Sequence, residues 1–280
     1  MAACIFTDAA MNVPGSSLLI DVDRLSVLLG DRRDRFSIQA IDACDSTNTL
    51  LLQRVHEMPS GRVVVCDRQT AGRGSRGRRW SASPEASLTF SLLWHFDCGL
   101  AGMSGLSLCV GLAVVRALTA CGAHGATLKW PNDILHRDAK LGGILVELSG
   151  DAEQARAVIG IGLNLLTPKM DGHGEAFMMP VTAIDALVSP LPERNQLLAG
   201  LLTELADVFD RFAVHGFGVL RDEWQACHAW QGRVVHVLSN GRVDMAGICL
   251  GADADGALLV QVGGDVRRCL SGDVSLRVAS

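Results

Sequence analysis

The hydrophobic positions of the chain change their spacing several times, and each change marks a predicted element. Residues 36–42 (FSIQAID) alternate between apolar and polar positions, as the residues of a half-buried strand do. Short apolar runs at 61–67 (GRVVVCD) and 87–96 (SLTFSLLWHF) predict more deeply buried strands. Two further strands are predicted at 140–150 and 155–166, so several strands are available to form one sheet.

Helical patterns lie between and around these strands. Residues 46–56 (STNTLLLQRVH) begin with a Ser/Thr cap. Residues 104–122 are apolar on most of the helix surface, which predicts a buried helix. Residues 193–216 predict a long amphipathic helix, and one short helix is predicted from about Ile20 to Leu29.

The pattern changes again after Trp230, where short strands alternate with tight turns. The dipeptides Asn240-Gly241 and Asp255-Gly256 are typical of β-hairpins. Residues 230–280 therefore predict a small β-barrel.

Composition and charge exclude several classes of protein. Of the 280 residues, 49% are hydrophobic, but no apolar run is long enough for a membrane span. The nine cysteines form no Cys-x-x-Cys pair, which argues against a zinc ribbon. Their odd number, together with an N-terminus unlike a secretory signal, predicts reduced thiols in the cytoplasm. The net charge of −5 argues against non-specific DNA binding.

One stretch concentrates positive charge on a flexible backbone. Residues 72–79 contain three glycines and four arginines, and Trp80 follows them. The glycines match the dinucleotide-binding pattern, and Asp97 lies at a suitable distance, but the nine residues before the next strand leave no room for the required helix. The simplest alternative is a solvated basic loop.

Phosphate binding is a second interpretation of this stretch. Glycine lets backbone N–H groups approach a phosphate, and arginine supplies paired donors for phosphate oxygens. Downstream, the turn at 129–133 (KWPND) presents Lys129 and Asp133, which suit a phosphate and Mg²⁺ respectively. Lys140 precedes Gly142 and Gly143 on an apolar strand, where it is either an edge residue or a functional charge.

Five motifs occur in order: DSTN at 45–48, GRGSRGRRW at 72–80, KWPND at 129–133, KLGGILVE at 140–147 and GIGLNL at 160–165. Together they resemble the motifs of the biotin protein ligases, also called holocarboxylase synthetases. The resemblance implies an α+β fold with a mixed, mainly antiparallel sheet backed by helices, similar to class II aminoacyl-tRNA synthetase catalytic domains. It also implies a catalytic domain at 36–229 and an SH3-like barrel at 230–280.

The resemblance further implies a two-step reaction whose substrates are ATP and biotin, with Mg²⁺ present. Biotin's carboxylate attacks the α-phosphate of ATP, pyrophosphate leaves, and biotinyl-5′-adenylate forms. A lysine of a biotin carboxyl carrier protein then attacks the adenylate and releases AMP. Because an anion attacks an anion in the first step, fixed cations and N–H donors are needed, and a Gly/Arg loop that closes can supply them and exclude water.

Roles for individual residues follow from the same resemblance. Lys140, Arg73 and Arg78 are expected to be catalytic, with Lys140 bridging the biotin carboxylate and the α-phosphate. The biotin site is expected to comprise Ser46, Thr47, Asn48, Gln69, Arg73, Gly74, Ser75, Lys140, Gly142 and Gly143. The ATP site is expected to comprise Arg76, Arg78, Trp80, Lys129, Asn132, Asp133, Asn164 and Arg277, with Asp133 also a candidate Mg²⁺ ligand.

Two features depart from the family pattern. At Ser75 many members carry a second basic residue, so the strength with which the adenylate is held is open. Bifunctional members begin with a winged helix-turn-helix of about 60 residues, whereas only 35 residues precede Phe36. We therefore predict a monofunctional ligase that binds no specific DNA and no membrane, as a monomer or homodimer. The alternatives are a bifunctional ligase and biotin-operon repressor, and a lipoate or octanoate ligase.

Overall fold

A seven-stranded sheet forms the centre of the molecule. The computed structural model describes residues 17, 19–167, 179–239, 242–270 and 274–278. The strand order is β1-β2-β3-β7-β6-β5-β4; β1 and β2 are parallel and every other neighbouring pair is antiparallel. The mixed, mainly antiparallel sheet is thus confirmed. The strands are β1 Ser37–Cys44, β2 Arg62–Gln69, β3 Ser87–Phe96, β4 Thr127–Lys129, β5 Asp133–His136, β6 Ala139–Gly150 and β7 Ala155–Asn164.

Helices cover both faces of this sheet. Alternate side chains of a strand point to opposite faces, and on β2 Val63 and Val65 join one core cluster while Val64 and Cys66 join another. The larger cluster includes α3 and α4; the smaller includes α2. The helices are α1 Val22–Leu29, α2 Thr47–Leu52, α3 Leu106–Ala120, α4 Arg194–His215 and α5 Arg221–Ala226.

The helix predicted near the N-terminus is confirmed as α1, which packs against α4. Leu25 and Leu29 are buried in the larger core. Arginines of this segment pair with acidic residues at and along α4, but these pairs are partly exposed and each stabilises by at most about 1 kcal/mol. The buried leucines therefore hold the segment in place. Residues 1–16 lie outside the described residues, so the expected absence of a DNA-binding domain there is not tested.

The C-terminal part forms a second, five-stranded antiparallel sheet. Its order is β11-β10-β9-β8-β12. The predicted turn at Asp255-Gly256 is confirmed, with Gly256 at φ 80°, whereas residues 240–241 lie outside the description. Within the described part of the chain β11 and β12 are unpaired edges, so a closed SH3-like barrel is not confirmed. The strands are β8 Val234–Ser239, β9 Arg242–Ala252, β10 Leu258–Val262, β11 Asp265–Cys269 and β12 Val274–Val278.

The first sheet is contacted by the second sheet and by the segment that leads into it. The Trp130 indole N–H donates to the carbonyl of Gly256 at 3.0 Å, and the Trp230 indole donates to Asp138 at 2.8 Å. The backbone at 227–229 pairs with Leu128 and so covers the edge of β4. No helix in the described ranges is long and apolar enough to cross a membrane. The eight cysteines in those ranges are free thiols.

Candidate active site

A cavity of about 830 Å³ opens over β3, β6 and β7, at the N-terminus of α2. Its lining residues come from motifs that are far apart in the chain, and β12 contributes one further lining residue, Arg277. Two of the predicted residues, Arg76 and Gly142, are not among those that line it. The predicted residues that do line it are Ser46, Thr47, Asn48, Gln69, Arg73, Gly74, Ser75, Arg78, Trp80, Lys129, Asn132, Asp133, Lys140, Gly143, Asn164 and Arg277.

One part of the cavity wall belongs to an uncharged hydrogen-bonded network, the polar floor: Thr47, Asn48 and Gln69 line the cavity, and Ser91, which does not line it, bonds to Thr47 and Asn48. The backbone N–H of Thr47 donates to the Gln69 side chain at 2.7 Å. Ser91 Oγ lies 2.6 Å from Thr47 Oγ1 and 2.5 Å from Asn48 Oδ1. Ser46 caps the N-terminus of α2, and its hydroxyl accepts a hydrogen bond from the N–H of Thr49. Thr47, Asn48 and Ser91 are buried and Gln69 is half-buried, so their mutual hydrogen bonds satisfy polar groups that have little contact with water.

Sequence reasoning missed Ser91, although β3 carries a signal for it. Ser87, Thr89 and Ser91 alternate with Leu88, Phe90 and Leu92, so one face of this buried strand is polar. The Thr89 hydroxyl is buried and has no hydrogen-bond partner among the described residues. It lines the cavity, and an unsatisfied hydroxyl there can bond to a polar group of a ligand.

Two glycines of β7 allow the side chains of Asn48 and Trp80 to approach the strand backbone closely. A Cβ on Gly160 would stand 2.3 Å from Asn48 Oδ1, and one on Gly162 would stand 2.4 Å from Cε2 of Trp80. Gly142 differs, because its Cβ would meet the carbonyl of Gly162 at 2.7 Å. Gly142 therefore permits close packing of β6 against β7, and its position gives no support to the predicted contact with biotin.

Three charged residues form a compact cluster beside the cavity. Asp133 accepts hydrogen bonds from the Lys129 ammonium at 2.9 Å and from the Lys140 ammonium at 2.5 Å. Burial favours a raised pKa for Asp133, but the two ammonium groups outweigh it and hold that pKa well below its usual range. Burial lowers the pKa of Lys129, against the attraction of Asp133. The Lys129 ammonium also lies 5.1 Å from the ring centroid of Trp230.

This arrangement gives no support to the predicted role of Asp133 as a Mg²⁺ ligand. Each oxygen of its carboxylate already accepts a hydrogen bond from an ammonium group. Mg²⁺ is normally held by one or two carboxylates together with substrate phosphates. Among the described residues lining the cavity Asp133 is the only carboxylate, and no group of three or more potential metal ligands occurs in the described ranges.

Residues 72–80, the arginine loop, form a hydrogen-bonded hairpin. The N–H of Gly74 donates to the carbonyl of Arg78 at 2.7 Å, and the N–H of Trp80 donates to that of Gly72 at 2.9 Å. No helix follows in residues 78–86, which excludes the dinucleotide-binding interpretation. The side chain of Arg78 bonds to the hydroxyl of Ser75 at 3.0 Å.

Other predicted residues brace the cavity walls. The amide of Asn164 donates to the carbonyls of Lys140, at 3.3 Å, and Thr182, at 3.0 Å. The amide of Asn132 donates to the carbonyl of Ile144 at 2.8 Å. Asn164 therefore fixes the backbone at Lys140, and Asn132 fixes the backbone of the same strand at Ile144.

The chain is similar to known ligases in sequence and in structure. Residues 40–164 match the model of the Biotin/lipoate A/B protein ligase family. The chain is 34% identical over 247 residues to the bifunctional ligase/repressor BirA of Escherichia coli, covering 88% of this chain and 76% of that protein. It is 32% identical to the biotin–[acetyl-CoA-carboxylase] ligase of Mycobacterium tuberculosis, covering 91% of this chain and 98% of the relative.

A solved structure has the same fold. The biotin protein ligase of Aquifex aeolicus in complex with biotin and ATP matches with a TM-score of 0.73 at 27% identity, over 88% of this chain and 99% of that one. The five motifs, the cavity that joins them and the length of these matches lead to one assignment: the chain belongs to the biotin protein ligase family.

Proposed function

We propose that this enzyme attaches biotin to a lysine of a biotin carboxyl carrier protein, using ATP and passing through biotinyl-5′-adenylate. The observation that carries the proposal is the division of one cavity into two chemically different parts. The polar floor offers only neutral hydroxyl and amide groups. Another part of the wall is cationic; this cationic side is defined by Arg73, Arg78, Lys129 and Lys140. An acid with a neutral polar head and a phosphate ester matches these two parts.

The residues of the cationic side can be given separate roles in the adenylation step. The carboxylate of biotin and the α-phosphate repel each other as they approach, and the ammonium of Lys140, anchored by Asp133, would lie between them. Arg73 and Arg78 would stabilise negative charge that develops on the phosphoryl oxygens. Trp80, Lys129, Asn164 and Arg277 would face the nucleotide.

In the second step the amine of the carrier lysine would attack the carbonyl carbon of the adenylate. The bond from that carbon to the phosphate oxygen breaks, AMP leaves, and the amine loses a proton. Exclusion of water by the arginine loop would protect the adenylate from hydrolysis before this attack.

Mass spectrometry of the protein after incubation with biotin, ATP and Mg²⁺ tests the proposal. We expect bound biotinyl-adenylate, and after addition of a carrier domain with one exposed lysine, a carrier heavier by one biotinyl group. Lipoate and octanoate serve as competing acids in parallel reactions. Pyrophosphate release with either of these acids but not with biotin would overturn the assignment of biotin as the substrate.

A second candidate function is repression of a biotin operon. The names of the Escherichia coli and Bacillus subtilis relatives, both described as bifunctional ligase/repressors, favour it. In the described range 19–35, α1 and a following 3₁₀ turn are the only helical elements, and α1 packs against α4 instead of forming a helix-turn-helix. We therefore expect no specific shift of biotin-operon DNA, with or without biotin and ATP, in an electrophoretic mobility assay; a specific shift would establish the second function.

A further inference from the structure

The arginine loop is tied to the sheet through one carboxylate, that of Glu147 on β6. The two terminal nitrogens of Arg73 donate to the two oxygens of Glu147, at 3.2 Å and 2.6 Å. The Arg73 side chain is 44% exposed and that of Glu147 is 23% exposed. Arg73 lines the cavity, whereas Glu147 is not among the residues that line it.

The same carboxylate is also tied to the polar floor. One oxygen of Glu147 accepts a hydrogen bond from the amide of Asn48 at 3.0 Å. Asn48 is buried and lies 2.5 Å from Ser91 Oγ through its own oxygen. A continuous chain of polar contacts therefore runs from the polar floor through Glu147 to the arginine loop.

The positive charges around the cavity explain why Arg73 is paired with the carboxylate of Glu147. Six cationic residues line the cavity, the four of the cationic side together with Arg79 and Arg277, and the only carboxylate among its described lining residues, Asp133, is already bonded to both lysines. Without a neighbouring carboxylate the half-exposed guanidinium of Arg73 would be repelled by the other cations and would turn toward solvent. A guanidinium has five N–H donors, so contact with Glu147 leaves donors for an anionic ligand.

We propose that Glu147 is a positioning residue for the acid substrate: it holds Arg73 at the cavity and makes the orientation of Arg73 depend on Asn48 in the polar floor. This inference rests on the proposed function, because it takes the ligand of Arg73 to be the carboxylate of biotin or the phosphate of its adenylate. Glu147 acts through Arg73 and does not itself contact the ligand.

A double-mutant cycle tests the inference. Glu147→Gln keeps the shape of the side chain and an oxygen that can accept from Asn48, but removes the charge. In biotin-dependent exchange of pyrophosphate into ATP we expect KM for biotin to rise about two- to fivefold, the effect of losing a partly exposed ion pair, and kcat to fall as well, because Arg73 also stabilises the developing charge. In the Arg73→Ala background the same substitution should leave KM unchanged. Glu153→Gln, at an exposed position in the turn after β6, is the matched control and should leave KM unchanged in the parent.

Trypsin cleavage of the ligand-free protein gives a second readout that does not depend on activity. Glu147→Gln should speed cleavage within the arginine loop, because its tie to the sheet is lost, whereas Glu153→Gln should not. A KM that does not change in Glu147→Gln, or that rises equally in the parent and in the Arg73→Ala background, would overturn the inference. If the parent itself shows no biotin-dependent exchange, the proposed function fails, while the cleavage rates still report on the link between Arg73 and Glu147.

Discussion

At the scale of single residues, Asp133 is the acid on which the cationic side depends. Asp133→Asn keeps the size of the side chain but leaves the ammonium groups of Lys129 and Lys140 without a counter-charge. Removal of one partner from a buried ion pair costs about 3–5 kcal/mol, and loss of a proton from Lys129 would reduce that cost. We expect the unfolding free energy in urea to fall by about 3 kcal/mol. Asp222→Asn, in an exposed ion pair with Arg221, should change it by less than about 1 kcal/mol; equal effects of the two substitutions would contradict this account.

Lys140 allows a different test, because its loss still leaves Asp133 paired with Lys129. Lys140→Ala should fold normally and lower biotin-dependent pyrophosphate exchange by roughly 10²–10³-fold, the usual effect of removing one fixed donor from a developing oxyanion. Lys140→Arg should restore only part of the rate, since a planar guanidinium cannot replace a compact ammonium. Transfer from synthetic biotinyl-adenylate to the carrier should suffer less. Exchange within a few-fold of the parent would show that Lys140 is only an edge residue.

The sequence predicted which residues line the cavity better than it predicted the partners with which those residues form hydrogen bonds and ion pairs. Of the sixteen predicted residues that line the cavity, fourteen lie in the five motifs, and Gln69 and Arg277 lie outside them. The partners of these residues lie on other elements: Arg73 pairs with Glu147, and Thr47 meets Ser91. Such contacts depend on strand register across the sheet, which local pattern does not specify. The Mg²⁺ role of Asp133 stays a prediction, and the contacts of its carboxylate with Lys129 and Lys140 could not be predicted for the same reason, since the fold brings the three side chains together.

At the scale of elements, strands were predicted where they are long or alternate clearly, and missed where they are short. β4 and β5 have three and four residues, too few for a periodic signal. The small hairpins at the C-terminus were predicted from their turn residues. Closure of a barrel requires the two edge strands of the sheet to pair, and turn residues do not determine that pairing.

Helix α4 gives an element-scale prediction, because its first residue anchors the segment before β3. The guanidinium of Arg194 donates to the carbonyls of Pro84 at 2.9 Å, Glu85 at 2.5 Å and Ser87 at 2.8 Å. Burial lowers the pKa of Arg194, opposed by the charges of nearby acids. Arg194→Lys keeps the charge but cannot reach three carbonyls at once.

We therefore expect Arg194→Lys to lower the unfolding free energy by about 1–3 kcal/mol, the cost of leaving partly buried carbonyls without donors. Because residues 81–83 and 86 line the cavity, KM for ATP or biotin should rise as well. Urea unfolding and pyrophosphate exchange measure the two effects. Arg221→Lys at an exposed position is the control, and a stability loss no larger than that of the control would refute the anchoring role.

At the scale of the whole molecule, the pH dependence of stability tests how the segment before the second sheet is held against the first sheet. His228 lies in the segment 227–229 that pairs with β4, its ring stacks on Trp224, and burial lowers its pKa to about 4. The unfolded chain binds a proton at this histidine below about pH 6.5, whereas the folded chain does not until about pH 4. Stability should therefore fall as pH drops from 6.5 toward 4, by about 1.4 kcal/mol per unit in this window and about 3 kcal/mol in total.

The slope of the unfolding free energy against pH measures this effect in urea titrations between pH 7.5 and 4.5. His228→Phe should flatten the slope, because phenylalanine can stack on Trp224 and binds no proton. The pKa of His95 is also lowered by burial, so a residual slope is expected in the variant. An unchanged slope would mean that His228 is protonated in the folded state.

The position of Arg277 on the cavity wall has a consequence for biosynthesis. The five motifs and the segment that matches the family model all lie before residue 166, yet the wall is completed by Arg277 on β12, and the edge of β4 is covered by residues 227–229. During synthesis on the ribosome, every motif of the active site is therefore made before the residues that complete the cavity wall. Until residues 227–229 follow, the edge of β4 is uncovered, and an uncovered strand edge promotes aggregation. A fragment that ends with β7 would contain all five motifs but would lack both Arg277 on the cavity wall and the segment that covers the edge of β4.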